Sequence, residues 1–205
     1  EARIIAEEFA RSRMPGPMAG QGISMLVPTL LEVGTEAQKK AYIRPTIQGE
    51  MIWCQGYSEP GAGSDLAALR TSAVEDGDHY VINGSKIWTS TAKQADMIFC
   101  LVRTDPTAKK HEGITYITFP MSTPGIEIRP LVDMTGSANF NEVFFTNVRV
   151  PKSGVIAKPN VGWQVANATL THERGMLGDP NATKARFLEL VTLMKDESVN
   201  GQRLI

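Results

Sequence analysis

The feature that most constrains this chain is a change of hydrophobic period near Gly49 and a second change near Pro151. Before Gly49, apolar residues recur at the three-to-four spacing of helices. From Met51 to about Thr146 they fall in short β-branched and aromatic runs separated by turn residues. After Pro151 the helical spacing returns. A period of 3.6 and a period of 2 cannot be met by one kind of element. The chain must therefore fold as helices, then a sheet, then helices.

The details follow from the same patterns. Ile4, Ile5 and Phe9 stand among Glu1, Arg3, Glu7, Glu8 and Arg11, which is amphipathic, and Pro15-Gly16-Pro17 breaks the run. A second apolar segment from Ile23 to Val33 has Pro28 near its start and Gly34 at its end. Thr35-Glu36-Ala37-Gln38 has the form of a capping box and predicts a helix from Glu36 to about Arg44, stopped by Pro45. Strands are expected near 51–55, 70–74, 80–83, 86–89, 97–103, 114–119, 126–130 and 142–146. Asp76-Gly77 and Asn83-Gly84 fall between such runs and suit type I′ hairpin turns. Closely spaced strands without helices between them predict an antiparallel sandwich or barrel. Later, Trp163, Ala166, Leu170, Arg174 and Leu177 share a helical face, and Pro180 marks a break. Ala182 to Lys195 predicts a further helix with Phe187, Leu190, Val191 and Met194 as its stripe. No N-cap precedes the first helical pattern and no C-cap follows the last, so both helical parts are expected to continue past the ends.

Charge and cysteine usage exclude several classes. There are 21 basic and 22 acidic residues with no basic tract, so nothing draws the chain to nucleic acid or an anionic membrane. Lys39-Lys40 and Lys109-Lys110 are the densest basic spots and read as solvated faces. Cys54 and Cys100 form no Cys-x-x-Cys and no Cys/His cluster, which argues against a metal site and against an oxidising compartment. No apolar run reaches the ~18–20 residues of a membrane span. A chain of 205 residues, 42% apolar, can bury a substantial core.

Three stretches could carry chemistry. In Tyr57-Ser58-Glu59-Pro60-Gly61-Ala62-Gly63-Ser64-Asp65 a strand ends in a glycine-rich turn. Without Cβ atoms in the way, several N–H groups can converge on an anion such as a pyrophosphate, aided by Ser58 and Ser64. An ordinary turn reads the same way. It is neither the dinucleotide fingerprint, since Leu66 stands where a third glycine would be, nor a Walker A loop. In Asn83-Gly84-Ser85-Lys86-Ile87-Trp88-Thr89-Ser90-Thr91, an aromatic ring and three hydroxyls at a strand end suit a flat heterocycle, or Trp88 is a core residue at the rim of a sheet. In Leu170-Thr171-His172-Glu173-Arg174-Gly175, Glu173 and Arg174 are either functional or a surface pair of small energetic weight.

These three stretches, in this order, resemble the acyl-CoA dehydrogenase family of flavoproteins. Glu50 through Asp65 is similar to its first signature and Asn83 through Trp88 to its second. Phe144-Phe145-Thr146-Asn147-Val148-Arg149-Val150-Pro151 resembles the exit from its middle domain. The resemblance implies an α+β multidomain chain. Residues 1–49 would end an N-terminal helical domain, 50–155 would form a β domain holding flavin and acyl-CoA, and 156–205 would start a C-terminal four-helix bundle. Roughly half of a full family chain would then be present.

The resemblance also implies roles. FAD would lie between the β domain and the C-terminal helices. Tyr57 and Ser58 would follow the flavin pyrimidine edge, Gly63 and Ser64 the pyrophosphate, and Trp88 the ring. Thr89 would lie beside it and Ser90 near N5. The family more often has Thr at the Ser58 and Ser90 positions; a hydroxyl is kept in both. The reaction would be α,β-dehydrogenation of an acyl-CoA to the 2-enoyl-CoA, a step in fatty-acid β-oxidation or related lipid metabolism. Glu173 would be the base, as in the branch of the family whose base precedes an Arg on this helix. Ser64, Leu170, Thr171 and Arg174 would contact substrate. Implied partners are an electron-transfer flavoprotein and further copies of the chain as a homodimer or homotetramer, in bacterial cytoplasm or mitochondrial matrix and not secreted. An acyl-CoA oxidase, or a non-catalytic FAD- or acyl-CoA-binding subunit of the same fold, is the alternative, because fold alone does not choose the chemistry.

Overall fold

The computed structural model describes residues 2–12, 19–174, 180–199 and 201–203. Helix α1 spans Ala2–Ser12. A π-helical turn, Gly22–Leu26, runs directly into α2 (Val27–Val33), and α3 follows at Glu36–Ile47. The strands are β1 (Trp53–Gly56), β2 (Ser72–Asp76), β3 (His79–Lys86), β4 (Met97–Arg103), β5 (Ile114–Pro120), β6 (Ile126–Leu131) and β7 (Phe140–Pro151). Helices α4 (Gly162–Arg174) and α5 (Pro180–Asp196) come next, then a two-stranded ribbon of β8 (Ser198–Val199) and β9 (Gln202–Arg203). The helix–sheet–helix order is the one the periodicity dictates.

The main sheet runs β1-β4-β2-β3-β7-β6, with β5 also on β4. β5 pairs antiparallel along the whole of β4, from Met97↔Pro120 to Arg103↔Ile114. The other edge of β4 is therefore shared. β1 runs parallel to its first half, Trp53↔Met97 to Gly56↔Cys100, and β2 meets its end in parallel at Ser72↔Arg103. The remaining pairs in the sheet are antiparallel. The sheet is antiparallel as expected except along one edge of β4, where β1 and β2 run parallel because the segment between β1 and β4 returns the chain to the same end of the sheet.

β4 is buried on both faces. Ile98, Cys100 and Val102 pack into one cluster with Ile82, Ile117, Phe119 and Val148. Met97, Phe99 and Leu101 pack into the other, with Met25, Leu26, Leu30, Tyr116, Val165 and Ala166. That is why 97–102 reads as a continuous apolar run without alternation. The second cluster joins the sheet to the π-helical turn, α2 and α4, which it reaches through Val165 and Ala166.

The capping box forms as read: Gln38 N–H donates to Thr35 Oγ1 (3.2 Å) and Thr35 N–H to Gln38 Oε1 (3.0 Å). Gln38 Nε2 then donates to the carbonyls of Ser153 (3.1 Å) and Val155 (2.8 Å), tying α3 to the exit of the sheet. Helix α3 does not stop at Pro45 but runs to Ile47. Thr46 holds this last turn, donating to the Tyr42 carbonyl (2.6 Å) and accepting from Trp53 Nε1 (2.8 Å).

Asp76-Gly77 does mark a hairpin, but not of type I′: its loop is Gly77 and Asp78, and of the two only Gly77, at φ +61, is left-handed. Asn83-Gly84 does not. It lies inside β3, where the register with β7 shifts between Ile82 and Gly84. The expected strands at 80–83 and 86–89 are one strand, 79–86, facing a bulge in β7 at Thr146 and Asn147, and residues 87–89 lie outside it. Gly84 has φ +144, and a Cβ there would come within 2.7 Å of Thr71 Cα, so the glycine permits close approach and not a turn. Asn83 Oδ1 accepts from Asn147 N–H at 2.8 Å, which pins the bulge.

Leu177 and Gly175, placed on the α4 face and in the third stretch by their spacing, lie outside the described residues, as does Pro15-Gly16-Pro17. The anticipated stripe on α5 is not a buried one: Phe187 and Leu190 are exposed, and Val191 and Met194 half-buried. Among the described residues no helix is long and apolar enough to cross a membrane.

Candidate functional site

The glycine-rich loop is folded by its own backbone. Glu59 and Ala62 exchange hydrogen bonds, each 3.0 Å, which closes a tight turn and leaves Pro60, Gly61, Gly63, Ser64 and Asp65 exposed. A Cβ on Gly61 or Gly63 would meet nothing within 4 Å. Packing therefore does not require either glycine, and space lies open above both.

Beneath the turn the Glu59 side chain points inward. Oε2 accepts from Arg70 N–H (2.6 Å), and Oε1 accepts from Thr71 N–H (2.8 Å) and Lys86 Nζ (2.8 Å). Burial alone pushes the Glu59 carboxyl up; the Lys86 charge and these donors outweigh it and hold the group below the ordinary carboxylate range. Lys86 is fully buried, and Nζ also donates to the Tyr57 carbonyl (3.0 Å). One residue on, Ile87 N–H donates to the Ser58 carbonyl (2.9 Å). The first two stretches are thus joined into one rim.

Trp88 stands next on that rim, at φ +61 and 60% exposed. It is not a core tryptophan. The left-handed backbone carries a cost of about 1–3 kcal/mol, and both neighbours hold it there. Ile87 is bonded to Ser58 on one side. On the other, Thr89 and Asn141 exchange backbone hydrogen bonds at 3.0 Å each. The indole meets Phe140 edge-on, ring centroids 5.9 Å apart. A large aromatic surface is presented to solvent by a backbone that cannot relax.

Ser90 and Thr91 continue from Trp88 to the wall of a cavity of about 480 Å³. Gln21, Gly22, Ile23 and Met51 line the rest of it with Trp53. The cavity therefore lies between the π-helical turn, the start of β1 and the end of the Trp88 rim.

The third stretch approaches from α4. Val165, Ala166 and Thr169 face the sheet, and Thr169 Oγ1 bonds Thr29 Oγ1 on α2 at 2.9 Å. Leu170 packs partly buried on the cluster that also holds Tyr57 and Ala62. The Tyr57 ring sits edge-on to Phe99 (6.0 Å) and Tyr116 (6.2 Å). Glu173 is one turn beyond Thr169 on the same face and is half-buried. Burial pushes the Tyr57 hydroxyl well above its ordinary value, with smaller contributions from Tyr116 and from the Glu173 charge. Thr171 is exposed and turns its hydroxyl back to Asn167 O (2.9 Å), Arg174 is exposed, and His172 pairs with Glu32 on α2 (2.9 Å).

Of the residues the sequence singles out (Tyr57, Ser58, Gly63, Ser64, Trp88, Thr89, Ser90, Leu170, Thr171, Glu173 and Arg174), the structure joins the Tyr57–Ser58 segment to the Trp88 segment through Lys86 and Ile87. Sequence reasoning gave no role to Glu59, Lys86 or Asn141, which hold that rim in place. One signal was available for Lys86: it shares the inward parity of β3 with Tyr80 and Ile82.

Residues 1–50 match the family model described as acyl-CoA dehydrogenase, N-terminal domain, and residues 54–148 the one described as acyl-CoA dehydrogenase, middle domain. The chain is 46% identical over 201 residues to acyl-CoA dehydrogenase IpdE1 of Mycobacterium tuberculosis, covering 97% of this chain and 52% of that protein. It is 33% identical over 179 residues to the human mitochondrial short-chain specific acyl-CoA dehydrogenase, covering 85% of this chain and 42% of that one. Among solved structures, the ChsE4-ChsE5 complex from M. tuberculosis matches with a TM-score of 0.81 and 36% identity, over 98% of this chain and 51% of that one. The Tcur3481-Tcur3483 steroid ACAD matches with a TM-score of 0.74 and 42% identity, over 82% of this chain and 43% of that one. The chain spans about half the length of IpdE1.

Proposed function

As the chain belongs to the acyl-CoA dehydrogenase family, we propose that the complete gene product is a flavoprotein that converts an acyl-CoA thioester to its 2-enoyl-CoA. The observation that carries this reading is the rim in which Ser58 and Trp88 are tied together by Lys86 and Ile87. An exposed, backbone-locked indole and two glycines facing open space fit a flat ring with a diphosphate tail. FAD would supply the two-electron acceptor for the β-hydride.

Each residue then has a task. Trp88 would flank the ring. Tyr57 and Ser58 would border its polar edge, and Thr89 and Ser90 would continue that border. The exposed backbone at Gly63 and the Ser64 hydroxyl would donate to the diphosphate. Glu173 would take the α-proton; it stands half-buried on α4, one turn beyond Thr169. Leu170 and Thr171 would meet the pantetheine chain, with Arg174 and Ser64 near the CoA end. The thioester carbonyl must be polarised for the α-proton to leave. Two further parts of this proposal are an electron-transfer flavoprotein as acceptor and assembly with further copies of the chain.

The test is a panel of acyl-CoA thioesters, short, branched and bulky polycyclic, offered anaerobically to the flavin-loaded protein. Bleaching of the flavin band by one class supports the reading and names the substrate. Failure to take up FAD at all would retire it. Fast reoxidation in air would make the protein an oxidase. Glu173→Gln should lower turnover by about 10²–10⁴-fold, the usual worth of a general base, with FAD affinity kept. Near-normal turnover would move the base elsewhere.

A further inference from the structure

The buried pair Lys86–Glu59 does something the reading above does not require of it. Buried ion pairs are weak stabilisers compared with well-packed apolar side chains, because desolvation offsets the Coulomb attraction. In this one both charged groups are hydrogen-bonded, and the pair sits at a junction. Glu59 receives Arg70 N–H and Thr71 N–H as well as Lys86, and Lys86 reaches Tyr57 O at 3.0 Å as well as Glu59 at 2.8 Å. One side chain thus bonds the loop carrying Ser58, and the same residue begins the segment carrying Trp88. The nearest backbone link between the two segments is Ile87 N–H to Ser58 O. An apolar pair would fill the space but could not fix the register of one loop against the other.

We propose that Lys86 and Glu59 are positioning residues that set the spacing and orientation of the Ser58 loop relative to the Trp88 rim, and so preorganise the groove before any ligand enters. The charge pair is retained for geometry and not for net stability. In its bearing on FAD the proposal rests on the function proposed above; the clamp itself does not.

The experiment uses the complete gene product and three variants: Lys86→Arg, Lys86→Met, and the double variant Lys86→Met/Glu59→Leu. Three quantities are read: the thermal midpoint, hydrogen exchange at the Ile87 amide, and the dissociation constant for added FAD. Lys86→Met leaves Glu59 buried without its partner and should lower the midpoint. The double variant removes both charges and should recover much of that loss. If the pair positions the loops, Ile87 exchange in the double variant still rises at least tenfold and FAD binding still weakens at least tenfold. Lys86→Arg, which keeps the charge and donors, should restore part of both. Wild-type Ile87 exchange in the double variant would overturn the proposal and leave the pair a packing feature. Should the wild type take up no FAD while the exchange effect is present, the flavin reading falls and the clamp stands.

Discussion

Thr89 and Asn141 hold each other in both directions: each donates its backbone N–H to the other's carbonyl at 3.0 Å, and Asn141 Nδ2 adds a third bond to Thr89 O at 3.0 Å. Both are nearly inaccessible, at 1% and 2% exposed. This mutual grip lies directly after Trp88 and is the far anchor of its left-handed backbone. Among the described residues, Thr89 Oγ1 and Asn141 Oδ1 are buried without a hydrogen-bond partner.

The grip and the orphaned atoms predict opposite effects. Asn141→Ala removes the third bond to Thr89 O and should destabilise by about 1–3 kcal/mol, seen in urea unfolding. Thr89→Val removes an unpartnered hydroxyl with little change of shape and should be neutral or stabilising. If Thr89→Val nonetheless weakens FAD uptake, the hydroxyl serves the ligand; unchanged uptake would remove Thr89 from the site.

Glu59 predicts an acid limb. Its carboxyl is held below the ordinary range in the folded protein, burial being outweighed by Lys86 and the backbone donors. The unfolded value is about 4.3. The contribution is therefore complete above that value and is lost as pH falls through the lower, folded one. Glu59→Gln should flatten the fall in the urea midpoint below about pH 4.3. Exposed Glu75, Asp78, Asp105 and Asp133 are also held low, by Lys152, His79, Thr107 and Thr135 respectively. The shares of Glu75 and Asp78, which face charged partners, should fade in high salt, while that of Glu59 should persist.

Both thiols should be silent in the native state. Burial pushes the Cys100 thiol up to about 12 and the Cys54 thiol higher still. Neither forms thiolate at pH 8, and neither is accessible. A thiol reagent should label both only on unfolding, at the global unfolding rate. Rapid labelling of the folded protein would contradict the double-sided burial of β1 and β4.

Two glycines should separate structure from function. Gly84→Ala meets Thr71 backbone at a φ of +144 and should cost more than about 2 kcal/mol. Gly61→Ala meets open space without a left-handed φ, so stability should stay within about 0.5 kcal/mol. Any loss of FAD affinity in Gly61→Ala then reports on the room needed by the ligand. Equal stability loss at both positions would mean that the loop is packed and not open.

Several elements were plain in the sequence because their causes are local. The capping box at Thr35 and Gln38 needs only neighbouring residues, and it forms. The 97–103 run specifies a strand buried on both faces through composition alone. The Asn83-Gly84 reading failed because a glycine with positive φ serves a turn or a close strand approach equally well, and Thr71, thirteen residues before Gly84, decides which. Pro45 failed as a helix stop because Trp53 and Tyr42 hold Thr46 in one further turn. In the site, hydroxyls, glycines and an aromatic at a strand end were visible as types; the ion pair that joins their loops was not.

By itself the sequence determined the order of helices and sheet, the hairpin at Gly77 and the residue types able to meet a ring and a diphosphate, since periodicity, turn chemistry and donor inventory act over a few residues. Tertiary structure alone decided that β1 and β2 share one edge of β4, that Trp88 faces outward, and that Lys86 turns inward to Glu59. Those outcomes depend on which surfaces meet across tens of residues of chain, and no local pattern encodes a partner at that distance.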